Sequence, residues 1–141
     1  MKKVSKEVDE LLIERFGKDS IIALATAVDN TPYVRNVDAF YEDGSFFILT
    51  HGLSSKMKQI ERNDSVAISG EWFTAHGKAV NLGYFGKEEN LYIANKMKRI
   101  FSVWINNGHN DFDDQNTCIL RIDLTKGVLF ANGNCYDIDF A

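Results

Sequence analysis

Two stretches of this 141-residue chain concentrate side chains suited to holding an anion. They are Val34-Arg35-Asn36-Val37 and Leu49-Thr50-His51-Gly52-Leu53-Ser54-Ser55-Lys56. In the second, an apolar run ends at Thr50, a short loop follows, and Ser54, Ser55 and Lys56 open a helix. Free N–H groups, the positive end of the helix dipole, two hydroxyls and an ammonium meet there, a combination that suits a phosphate. Arg35, on the strand expected to hairpin with the one ending at Thr50, supplies a second cation. The alternative is an ordinary capped helix with a solvent-facing lysine. No Gly-x-x-x-x-Gly-Lys pattern occurs, so a nucleoside triphosphate is not the natural ligand.

Other reactive residues are more scattered. His51, His76 and His109 have no ligand spacing with one another or with a cysteine, so no metal site is expected. His51 follows Thr50 and is either a ligand neighbour or a surface imidazole, and His76 before Gly77 reads as a hairpin residue. In the acidic segment from Asp111, Asn116 and Ile122 fall where a calcium loop needs glycine and glutamate. Cys118 and Cys135 read as two reduced thiols without a nearby histidine. No side chain stands out as an obligatory acid or base, so no catalytic residue is assigned.

These residues need elements to position them. Residues 4–16 follow a helical period through Val4, Val8, Leu11 and Leu12, with Gly17 as the stop. From Ile21 the period becomes two: Ile22, Leu24, Thr26 and Val28 share one strand face, and Ala23, Ala25 and Ala27 the other. That alanine face permits close approach by a backbone, a helix or a flat ring. Asp29-Asn30-Thr31-Pro32 reads as a turn, and Tyr33 to Tyr41 as a second strand reaching a hairpin at Glu42-Asp43-Gly44. Ser45 to Thr50 is apolar enough to be buried on both faces. A short helix over 54–62 follows, with Ser54 as N-cap. Two strands over 66–69 and 73–82 turn near Gly70-Glu71. A helix between Lys87 and Asn107 has Ala94, Met97, Phe101 and Trp104 inward and Lys96 on its solvated side, with Gly108 as its stop. Strands over 117–124, 128–131 and 136–140 complete the chain, punctuated by Gly127 and Asn132-Gly133-Asn134. Antiparallel strands with peripheral helices give a single α+β domain, mainly β: a small six- to seven-stranded barrel.

Composition excludes several classes. An apolar share of 45% with 17 aromatics (Phe 10, Tyr 5, Trp 2) is that of a globular chain rather than a disordered one. A net charge of −4 argues against a dedicated nucleic-acid binder. No apolar run approaches the roughly 20 residues of a membrane span, and no apolar signal core follows the charged start. A cytoplasmic protein is the expectation.

The order Arg35, Thr50, Ser54-Ser55-Lys56, then Arg62-Asn63-Asp64 and a strand from Val66 resembles the FMN-binding split barrel. This is the pyridoxamine-5′-phosphate-oxidase-like superfamily, and the likeness is to its short general-stress-protein branch, over residues 10–85. The resemblance implies an antiparallel split β-barrel and FMN as cofactor. It implies that Arg35 and Lys56 hold the phosphate, Thr50 and Ser54 complete the site, and Asn36 and Val37 border the flavin. His51, Ser55 and Trp72 are further candidate contacts; Ser55 stands where many members have arginine. It also implies a homodimer with flavin at the interface, and Trp72 and Phe73 are the expected partner-side contacts. The tail Tyr136-Asp137-Ile138-Asp139-Phe140-Ala141 lacks the arginine and histidine of true pyridoxamine phosphate oxidases. The functional expectation is an FMN-dependent oxidoreductase of a small molecule other than vitamin B6. Alternatives are a non-enzymatic flavin-binding or stress-response protein, or a haem or deazaflavin binder on the same fold.

Overall fold

The computed structural model describes residues 4–141. Helix α1 (Lys6–Phe16) is capped by Ser5, whose hydroxyl accepts from the Val8 N–H at 3.2 Å. Strands β1 (Ser20–Val28), β2 (Thr31–Glu42) and β3 (Ser45–His51) then form two successive hairpins. Helix α2 (Ser55–Arg62), β4 (Ser65–Gly70) and β5 (Phe73–Tyr84) follow. A 3₁₀ turn (Glu88–Asn90) leads into α3 (Leu91–Ile100), and β6 (Thr117–Ala131) and β7 (Asn134–Asp139) end the chain. The sheet order is β3-β2-β1-β4-β5-β6-β7, and a β3–β6 pairing closes six of these strands into a barrel with β7 added outside.

The opening that gives a split barrel its shape lies between β2 and β3. Nine residues of β2 pair with β1, but β2 meets β3 only where Phe40, Tyr41 and Glu42 face Phe47, Phe46 and Ser45. Strand β3 pairs with β6 along its whole length, but past Phe47 it has left β2, and among the described residues Thr31–Ala39 pair with β1 alone. Helix α2 covers the gap. Its Met57 and Ile60 enter the barrel core, and its Gln59 bonds to both β1 and β2. The barrel interior also packs on α1, where Phe16 meets Phe46 and Phe73 at 5.6 and 5.7 Å between ring centroids. A second core outside the barrel joins Phe40, Phe47 and Ile119 to Ala94, Met97 and Phe101 of the α3 region. Phe46 and Ile48 therefore point inward while Phe47 packs outward, which is why β3 is apolar on both faces.

Several expectations need correction. Of the four residues expected to turn, only Asp29 and Asn30 take positive φ (51° and 65°), as a two-residue hairpin needs. Proline cannot adopt that φ, so Pro32 lies in β2, opposite Ala27. The tip of the β4–β5 hairpin is Glu71-Trp72, and His76 sits mid-strand opposite Ala67 and Lys126 rather than in a hairpin turn. Helix α3 stops at Ile100, well before Gly108. Phe101 and Ile105 remain buried through successive turns, so the inward spacing outlasts the helix and does not mark its end. Lys96 is not solvated but bonds to Glu42, beside the Phe40 ring. Residues 117–131 form one strand through Gly127, where a Cβ would lie 3.0 Å from both the Ala75 Cβ and the Thr74 carbonyl oxygen. Glycine is present there for close approach, not as a break.

Candidate functional site

The split gathers a polar cluster from β1, β2, β3 and α2. Arg35 is cross-strand from Leu24 and shares its inward face. Its Nη1 donates to the Leu24 carbonyl at 3.2 Å and to Thr26 Oγ1 at 2.9 Å, and its Nη2 donates to Gln59 Oε1 at 2.6 Å. Lys56, in the first turn of α2, donates from Nζ to Thr50 Oγ1 at 2.7 Å. Thr50 is buried, and its hydroxyl lies 3.5 Å from that of Ser54. Ser54 starts the helix as expected, but its side chain caps no backbone N–H. The hydroxyl is turned toward Thr50 instead.

The electrostatics are one-sided. Burial, and after it the charge of Arg35, pushes the Lys56 ammonium below the usual lysine range. Burial likewise lowers the Arg35 guanidinium from its ordinary value. Among the described residues neither cation is paired with a carboxylate; their acceptors are hydroxyl, amide and carbonyl oxygens. Two neighbouring half-buried cations at a helix N-terminus make a strong site for a dianion. The donor set fits a phosphomonoester.

The remaining sequence candidates are placed differently. Val37 shares the face of Arg35, whereas Asn36 projects to the opposite, exposed face. Ser55 is exposed on the first turn of α2. His51 points away from Thr50: its Nε2 is 2.9 Å from Asp114 Oδ2, and its Nδ1 accepts from the Leu53 N–H. The Asn116 backbone N–H, and after it His51, hold the Asp114 carboxyl below its ordinary value. Trp72 lies past Gly70, at the opposite end of β4 from α2. It has φ 51°, is 72% exposed, and packs edge-on against Phe130 at 6.4 Å. One chain therefore brings Arg35, Thr50, Ser54 and Lys56 together, and leaves Trp72 apart. Thr26 and Gln59 are members that the residue patterns did not single out. Gln59 follows Lys56 by three positions, on the same helix face, and Thr26 is a hydroxyl on an otherwise apolar strand face. Among the described residues no group of histidine, cysteine or acidic side chains could hold a metal, and no helix is long and apolar enough to cross a membrane.

No protein-family profile matches the chain, and no curated protein matches it in sequence. Solved structures do match in fold. An FAD-binding protein from Mesorhizobium loti superposes with a TM-score of 0.67 at 14% identity, covering 90% of this chain and 95% of its own. General Stress Protein 26 from Bacillus anthracis matches with a TM-score of 0.66 at 17% identity, over 94% of this chain and 99% of its own. A heme binding protein from Mycobacterium smegmatis gives a TM-score of 0.70 at 11% identity, over 96% of this chain and 58% of its own. The class is thus the α+β split barrel, a closed six-stranded barrel with one extra strand, as the resemblance implied. More particularly, it is the fold shared with general-stress-protein and flavin- and haem-binding structures.

Proposed function

We propose that this protein binds FMN in the β2–β3 split and acts as a flavin-dependent oxidoreductase on a small molecule. The observation that carries this reading is the pair Arg35 and Lys56, half-buried together with no carboxylate among the described residues. Left alone, two such charges destabilise the fold; a phosphate neutralises both. Bound flavin would supply the redox chemistry, and the protein would supply binding, orientation and electrostatic tuning. Val37 is the strand residue on the cradle's face, and Trp72 of a second copy would cover the ring. A two-fold dimer follows, because one barrel leaves a planar cofactor open to water. Ile21 and Val34, 67% and 69% exposed, flank the alanine face and support a contact between copies. FMN is favoured over haem because the imidazole of His51, the histidine nearest the cradle in sequence, is already engaged at both nitrogens and so is not free to ligate iron.

The absorption spectrum after titration with FMN, haem or a deazaflavin separates the cofactors. FMN is expected to bind at least tenfold tighter than riboflavin; equal affinity removes the proposal. Stopped-flow mixing with NADH or NADPH then tests the activity. Rapid reduction followed by reoxidation supports an oxidoreductase, whereas an inert flavin makes this a flavin-holding protein. A flavin-loaded particle sedimenting near 16 kDa would overturn the dimer.

A further inference from the structure

We infer that Gln59 is a positioning residue that sets the preference for a phosphorylated ligand by holding Arg35 in place; this rests on the cradle reading above. The bonds around it form a closed set. Gln59 Oε1 accepts from Arg35 Nη2 at 2.6 Å and from Thr26 Oγ1 at 2.6 Å. Thr26 Oγ1 accepts in turn from Arg35 Nη1 at 2.9 Å, and the second Nη1 hydrogen goes to the Leu24 carbonyl.

Counting protons fixes the roles. Thr26 has one hydroxyl hydrogen, which it gives to Gln59, so a lone pair faces Arg35. Gln59 must present its oxygen rather than its amide nitrogen, because both neighbours donate. Of the five guanidinium hydrogens, both on Nη1 and one on Nη2 are used. The Nε–H and one Nη2–H remain, a pair suited to forking onto two phosphate oxygens. Thr26 is only 2% exposed, so this anchor sits on the rigid barrel wall. One turn of α2 thus presents Lys56 directly and orients Arg35 through Gln59. Without the amide oxygen, a half-exposed guanidinium regains its rotamers and must lose them again on binding.

Calorimetric titration of FMN and of riboflavin tests this on the parent protein, Gln59→Leu, Gln59→Glu, Arg35→Ala, Lys56→Ala and the double variant Arg35→Ala/Gln59→Leu. Gln59→Leu is expected to weaken FMN about tenfold while leaving riboflavin within about twofold. Gln59→Glu sets a carboxylate against the guanidinium and is expected to weaken FMN further. In the Arg35→Ala background, Gln59→Leu should add nothing, because its effect passes through Arg35. An equal loss in both backgrounds, or an equal loss of riboflavin, overturns the positioning role. If Arg35→Ala and Lys56→Ala leave the FMN-to-riboflavin ratio unchanged, the cradle reading itself fails. If they change it and Gln59→Leu does not, only the role of Gln59 fails. Should Gln59→Leu not fold, Gln59→Met, which removes the acceptor and keeps the side-chain length, takes its place: an unaltered ratio overturns the inference.

Discussion

Lys56 and Lys96 are both half-buried on helices that pack against the barrel, yet their surroundings are opposite. Lys96 of α3 meets the carboxylate of Glu42, which also accepts from the Tyr92 hydroxyl at 3.1 Å, and it lies 5.5 Å from the centre of the Phe40 ring. Lys56 meets a hydroxyl, and the charge that acts on it is that of another cation, Arg35. Burial depresses both ammonium groups first, and a neighbouring arginine second: Arg35 for Lys56, Arg99 for Lys96. A lowered pKa therefore does not separate a site from a strut. The acceptor does. Where the chain supplies its own carboxylate the charge serves the fold, and where it supplies none the charge is left for a ligand.

The largest effect that sharpens this contrast is on ligand affinity. A charge-assisted hydrogen bond to phosphate is worth about 1.5–3 kcal/mol, so Lys56→Ala should weaken FMN roughly ten- to a hundredfold. Arg35→Ala should do the same, and riboflavin titrations should move little for either. Lys96→Ala, measured alongside, should leave both ligands unchanged. Next comes stability. Lys96→Met strands Glu42, whose side chain is 25% exposed, and is expected to cost about 1–3 kcal/mol, less than a fully buried pair. Urea titration reads this directly, and an unchanged midpoint would make Lys96 as dispensable to the fold as Lys56.

The two regions were unequally legible in the residues. The strands announced themselves by alternation, β3 by being apolar throughout, and the β2–β3 hairpin by Asp43-Gly44, which take positive φ of 52° and 84°. Arg35, Thr50, Ser54 and Lys56 were visible because a strand end, a short loop and a helix start are local features. Thr26 and Gln59 were not, since a polar residue on a short helix is ordinarily solvated and only the closed barrel brings β1 against α2. The Lys96–Glu42 pair was hidden for the same reason: 54 residues separate its partners. The early end of α3 escaped because Phe101 and Ile105 keep an inward spacing through turns that are no longer helical.

A smaller effect concerns pH and the ligand-free protein. The Lys56 pKa is lowered in the folded state, so between that value and the ordinary 10.5 the unfolded chain binds more protons. Stability contributed by this group therefore rises with pH across that window. Phosphate binding needs the protonated ammonium, so the FMN-to-riboflavin preference should fall over the same window. Lys56→Met should raise ligand-free stability slightly below it, by up to about 1 kcal/mol. It should also flatten both pH trends. A Lys56→Met protein whose preference still falls with pH would place the titrating group elsewhere.

The smallest expected effect is the most discriminating. Lys58 lies two residues beyond Lys56, about 200° around the helix, and is exposed where Lys56 is half-buried. It shares the general positive potential of α2 but not the contact with Thr50 or the proximity to Arg35. At physiological salt the Debye length is about 8 Å, so an exposed lysine on the far face contributes little through the solvent. Lys58→Ala should therefore shift FMN affinity by less than about twofold, and that residual should vanish as salt is raised. The loss in Lys56→Ala should persist at high salt, because its bonds form in a partly desolvated cradle. If the two variants lose FMN equally and recover equally with salt, the anion is held by the diffuse charge of the helix, and the contrast between Lys56 and Lys96 has no bearing on binding.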